Sequence, residues 1–147
     1  KNKDKLFFVD KYYKPELPLN LTKYLLKFAN SSIDVSDGLI DDLAKMINRQ
    51  SLSFHLFENK IPVSNKLSNL IKKQRLNKIN LISNGDDYQV LFTADIKKAR
   101  IIQKASKTTG IKITKIGKIV SGKDRSLIFD EKGKQIRAKS KGYIHRF

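Results

Sequence analysis

The sequence predicts a mixed fold, α/β or α+β, with a sheet packed against helices. Stretches that alternate apolar and polar residues, as strands do, are interleaved with stretches of helical spacing. The joints between them carry Ser, Asn, Asp, Gly and Pro, the residues that cap helices and make turns. The 147 residues are 39% apolar, enough for one domain with a real core.

The elements follow in order. Residues 1–18 carry charge, aromatics and two prolines, and read as a linker or a short helix ending before Pro15. Leu21, Tyr24, Leu25 and Phe28 make one face of a helix over 19–29, with Asn20 placed as its N-cap. Ile33 and Val35 alternate with Asp34 and Ser36, predicting a strand over 31–36 with one buried face. Leu39, Leu43, Met46 and Ile47 then recur at helical spacing, so 34–37 is a strand-to-helix junction. A strand at 53–57 precedes a helix at 64–74 capped by Ser64. Residues 79–83 lead into the turn Asn84–Gly85–Asp86–Asp87, and 88–94 form a strand. Asp95 caps a helix that ends at Gly110, where a left-handed residue is expected. A strand at 111–120 and a hairpin over 126–138 complete the order.

Composition excludes several classes. The chain has no cysteine, and so no disulfide scaffold, thiolate metal site or cysteine nucleophile, which fits a cytoplasmic location. No apolar run approaches a membrane span or a signal peptide. The formal charge is +17, from 31 Lys and Arg against 14 Asp and Glu. The basic residues stand singly or in pairs, without the cluster or stacking motif of a nucleic-acid footprint. His55 and His145 are isolated and read as structural.

The acids are distributed unevenly. No Lys or Arg lies between Lys27 and Lys45, a window holding Asp34, Asp37, Asp41 and Asp42. None lies between Lys78 and Lys97, a window holding Asp86, Asp87 and Asp95. These two windows carry 7 of the 14 acids. A helix start attracts anions such as phosphate, whereas carboxylates beside it repel them. A divalent cation reconciles the two, and Mg²⁺, which binds carboxylates together with phosphate oxygens, is the natural choice. The same residues also suit a plain N-cap with Asp41 and Asp42 complementing the helix dipole, and Asn84–Gly85–Asp86–Asp87 suits a plain turn.

Residues 28–43, "FANSSIDVSDGLIDDL", resemble the start of the C-terminal domain of the thiamine-monophosphate kinase family, with its Asp–aliphatic–Ser–Asp–Gly–Leu run and following Asp–Leu pair. "KYYKPELP" resembles the linker into that domain, and "SNGDDYQVLFT" its Gly–Gly–Glu–Asp–Tyr–Glu–Leu segment. "ITKIGKIV" resembles a later strand, and "KGYIHRF" the closing Gly–Tyr–Asp–His–Phe. The matches keep their order over nearly the whole chain. Asp86 stands where the family has Glu, and Ile144 where it has an acid.

The resemblance implies an aminoimidazole ribonucleotide synthetase-like fold. It implies transfer of the ATP γ-phosphoryl to thiamine monophosphate, giving thiamine diphosphate, with Mg²⁺ assisting. By match, Asp34 and Asp37 would ligate Mg²⁺, Ser36 would contact ATP, and Asp86 and Tyr143 would contact substrate. The implied layout is a linker at 1–18 and a C-terminal substrate and ATP-edge domain at 19–147. The family's N-terminal domain is a missing partner here, the intact enzyme is expected to be a homodimer, and the chain alone is expected to be inactive. A different ATP-dependent member of the superfamily is the alternative, followed by a basic nucleic-acid-binding module.

Overall fold

The computed structural model describes residues 2–48 and 50–138. Helix α1 (Asn2–Tyr13) ends before Pro15, as the proline requires. Helix α2 (Leu19–Phe28) buries Leu21 and Phe28. Its N-cap is Pro18, without a side-chain bond, and Asn20 lies inside the first turn. The proline sets the break here, so the expected asparagine cap is corrected. Strand β1 (Ala29–Asp34) follows directly and pairs antiparallel with β3 (Val90–Ala94). It starts earlier and stops earlier than the pattern predicts, leaving Ser36 in the turn beyond its end.

A two-stranded ribbon is marginal alone. Here α2 and α6 (Ala99–Thr109) cover it through a cluster of Leu21, Phe28 and Ala105, with Leu25, Phe92 and Ile102 against it. The Phe28 and Phe92 rings lie 5.1 Å apart across this contact. Helix α6 is entered through a 3-10 turn, Ile96–Lys98, capped by Asp95 accepting from the Lys97 amide at 2.8 Å. It ends at Gly110 in the left-handed conformation, as expected.

The larger core lies on the other sheet. Strand β2 (Leu52–Phe57) pairs antiparallel with β4 (Gly117–Ser121) and parallel with β5 (Leu127–Phe129), which pairs antiparallel with β6 (Gln135–Ile136). The order is β4-β2-β5-β6. Phe54 and Leu56 point into the core, as alternation requires, while His55 packs edge-on against Phe129 on the opposite face. Helix α3 (Leu39–Met46) lays Leu39, Ile40 and Leu43 on this sheet, with Ile79 and Ile82 of the short helix α5 (Lys78–Ile82) beside them. Each fully buried side chain of this size contributes about 1.5–3 kcal/mol. Helix α4 (Asn65–Gln74) starts at the predicted cap, with Ser64 Oγ accepting from Leu67 N at 3.1 Å.

The predicted strand at 111–120 shortens to β4. Residues 111–115 lie outside the strand, with Ile111 and Ile113 packed on the smaller cluster, while Ile116, on the larger, still accepts from Phe57 N at 2.9 Å. The 126–138 hairpin forms as expected, its turn held by Asp130 accepting from Lys132 and Lys134 amides at 2.9 and 2.8 Å. Among the described residues, no helix is long and apolar enough to cross a membrane.

Candidate functional site

The two acidic windows meet in space. Beyond the end of β1 the chain continues to pair with the segment before β3. Val35 N donates to Gln89 O at 2.9 Å, Tyr88 N to Val35 O at 2.8 Å, and Asp86 N to Ser36 O at 2.9 Å. The approach is so close that two positions exclude a side chain. A Cβ on Gly38 would stand 2.4 Å from Ser83 O, and one on Gly85 would stand 2.3 Å from Ser36 O. Both glycines also have positive φ, +124° and +83°. The Gly in each acidic motif is therefore the condition for placing the motifs side by side.

At the start of α3 the expected cap is replaced by a different one. Gly38 is the N-cap residue and offers no side chain. Asp42 reaches back instead. Its Oδ2 accepts from the amides of Ser36, Asp37 and Gly38 at 3.0, 2.9 and 3.1 Å. Asp42 is 1% exposed. Three amides satisfy the buried carboxylate, which removes the penalty of burying it alone. Asp42 thus takes the N-cap amide of this helix start, that of Gly38, and ties down the two amides of the turn before it. Asp42 is more than the helix-dipole partner the sequence suggests.

Asp37, Asp41 and Asp42 have carboxylate oxygens within 4.8 Å of one another. Lys45, one turn along α3, closes the group. Its Nζ pairs with Asp37, with Asp41 at 2.7 Å and with Asp42 Oδ1 at 3.3 Å. Asp37 first, then Asp41, stabilises the ammonium and holds its pKa well above the usual lysine range, against a smaller opposing effect of burial.

Asp34 is not one of these three. It is exposed at the end of β1, opposite Val90, and its charge acts on the Tyr88 hydroxyl. Asp86 is exposed as well, and its Oδ1 accepts from Tyr88 Oη at 3.3 Å. Tyr88 is a 37% exposed ring. The nearby Asp86 charge, followed by the hydrogen bond to it, raises the phenol pKa. Asp87 also keeps solvent access, yet the surrounding protein and then the Asp86 charge push its carboxyl upward. Asp86 and Tyr88 both have positive φ, 60° and 50°. For a bulky tyrosine that is an uncommon conformation, of the kind that collects at ligand-binding loops.

The predicted residues therefore separate. Asp34 and Asp86 belong to one exposed rim, Asp37 joins Asp41, Asp42 and Lys45, and Ser36 sits between them. Tyr143 and His145 lie outside the described residues. Tyr88 and Lys45 were not singled out by sequence reasoning, and Asp42 was read only as a partner of the helix dipole. Lys45 had a signal in its i,i+3 and i,i+4 spacing from Asp42 and Asp41.

Oxygen donors of this kind suit Mg²⁺. Asp34 and Asp37 retain the carboxylate chemistry for it, whereas Asp42 has one oxygen on three amides and the other on Lys45.

No family model matches the chain. Among curated relatives, the thiamine-monophosphate kinase of Buchnera aphidicola subsp. Schizaphis graminum is 31% identical over 140 residues, covering 95% of this chain and 42% of that protein. The enzyme of the same name from Escherichia coli K12 is 27% identical over 97% of this chain and 43% of its own length. The crystal structure of thiamine monophosphate kinase from Aquifex aeolicus matches with TM-score 0.65 at 26% identity, over 91% of this chain and 42% of that one. The structure of AaThiL complexed with AMPPCP and TMP matches with TM-score 0.70 at 27% identity, over 96% and 42%. The chain thus spans well under half the length of the relatives it matches. In sequence and in aminoimidazole ribonucleotide synthetase-like fold it is similar to the C-terminal part of the thiamine-monophosphate kinases.

Proposed function

We propose that this chain supplies the substrate side and ATP edge of a kinase that transfers the ATP γ-phosphoryl to thiamine monophosphate, yielding thiamine diphosphate and ADP. The observation that carries this reading is the backbone pairing of the two acidic segments through Ser36–Asp86 and Val35–Tyr88. It groups Asp34, Asp86 and Tyr88 on one exposed rim, with the turn bearing Asp37 next to it. The AMPPCP and TMP carried by a structural relative supply the matching pair of ligands.

Each residue has a role that its chemistry suits. Asp34 and Asp37 would hold Mg²⁺, which when bound neutralises phosphate charge. Ser36 would contact ATP. Asp86 would pair with the thiazolium cation or accept from the aminopyrimidine. Tyr143 would offer its ring face to thiamine, and Tyr88, already on Asp86, adds a second aromatic surface at the rim. Residues 1–18 would lead from another domain into the 19–147 unit. That domain would complete the ATP site, and the intact enzyme would work as a cytoplasmic homodimer. The chain alone would then turn over nothing.

The test is a hybrid in which this chain replaces the matched region of the Escherichia coli K12 enzyme. Formation of thiamine diphosphate from thiamine monophosphate and ATP supports the reading. A hybrid that folds, binds ATP and ignores thiamine monophosphate while turning over an aminoimidazole precursor would point to another member of the superfamily.

A further inference from the structure

We propose that Lys45 is the resident cation of the Asp37–Asp41–Asp42 group and a positioning residue for Asp37, holding that carboxylate onto α3 and competing with a divalent cation for it. The inference rests on the reading of Asp37 as a Mg²⁺ ligand.

Three features lead to it. First, the ammonium meets all three carboxylates at once, through Asp37, Asp41 at 2.7 Å and Asp42 at 3.3 Å. Second, the carboxylates are not equivalent. Asp42 is locked by the amides of residues 36–38 and cannot turn toward a new ligand. Asp37 and Asp41 are only partly buried, and Lys45 pairs with both. Third, Lys45 itself is 46% exposed on a flexible four-carbon stem. It can leave for solvent without exposing a core, which makes it a displaceable cation and not a locked one. A dication reaching Asp37 must therefore overcome one positive charge already in place. Release of Lys45 would then accompany loading of the metal.

Mn²⁺ binding to the 147-residue chain, followed by water-proton relaxation, tests this. Lys45→Met should bind Mn²⁺ roughly tenfold more tightly than the unsubstituted chain, the scale of one nearby surface charge. Lys45→Arg should bind like the unsubstituted chain, and Asp37→Asn should remove the gain from Lys45→Met. Unchanged or weaker binding by Lys45→Met, or no saturable binding by either form, overturns the proposal. If binding depends on Asp37 but ignores Lys45→Met, the lysine inference fails and the metal reading of Asp37 stands. If the Lys45→Met gain survives Asp37→Asn, both fail. A second measurement needs no variant. The Lys45 Cε resonance should move toward that of a solvated lysine as Mg²⁺ saturates the chain, and a resonance that stays put contradicts displacement.

Discussion

The two acid-rich regions look alike in sequence and are opposites in structure. The group at the start of α3 is self-satisfied: Asp42 is buried on three amides, and Lys45 neutralises Asp37 and Asp41. The rim formed by Asp34, Asp86, Asp87 and Tyr88 is exposed and carries two residues of positive φ. No salt bridge to Asp34, Asp86 or Asp87 occurs among the described residues. The first group spends the charge of Asp42 on holding the turn and sets Asp37 and Asp41 against Lys45. The second keeps its charge available to a ligand. The lysine-free windows flag both in the sequence, although Lys45, at the edge of the first window, folds back onto its acids.

The contrast can be broken at its hinge. Gly38→Ala and Gly85→Ala should each destabilise the chain by about 3–5 kcal/mol, since the new methyl meets a backbone carbonyl and the φ is unfavourable. Urea denaturation would show this, and a loss under about 1 kcal/mol would mean that the two segments are not tightly apposed. Asp42→Ala comes next, at about 2–4 kcal/mol, because three amides lose their acceptor. The equivalent change at exposed Asp34 should stay within about 0.5 kcal/mol.

Smaller effects separate the regions by pH. The folded-state pKa of Lys45 is raised above the ordinary lysine value of 10.5 by the carboxylates it meets, Asp37 first. Its contribution is therefore complete below that value and declines as pH rises beyond it. Half-exposed, it should amount to no more than about 1 kcal/mol, and Lys45→Met should flatten this alkaline decline in a melting-temperature profile. Asp87 behaves in the opposite sense. Its folded-state pKa is raised from 3.8, so its ionised form costs stability above the folded pKa, and that cost disappears as pH falls toward the unfolded value. Asp87→Asn should stabilise slightly at neutral pH, by about 0.5 kcal/mol or less, with the gain vanishing in acid. A destabilised Asp87→Asn would show that its carboxylate makes a favourable contact after all.

Much of the fold was legible because local chemistry decides it. Ser64, Asp95 and Gly110 begin and end helices by rules that need no tertiary contact. Asn20 failed because Pro18 terminates the preceding segment first. Residues 111–115 lie outside the strand, with Ile111 and Ile113 on one core and Ile116 on the other, a fact about packing that alternation does not encode. At the site, sequence could find the acids but not allocate them. Whether Asp42 or Asp37 caps the helix depends on Gly38 leaving the cap position without a side chain. Whether Asp34 sides with Asp37 or with Asp86 depends on a pairing between segments some fifty residues apart.

The most direct test of this allocation is turnover in the Escherichia coli K12 hybrid. With Asp34→Asn, thiamine diphosphate formation should fall on the order of 100-fold at limiting Mg²⁺, while the melting temperature stays unchanged. A near-normal rate with Asp34→Asn would contradict the account, because the exposed acid at the end of β1 would then do no work in the reaction.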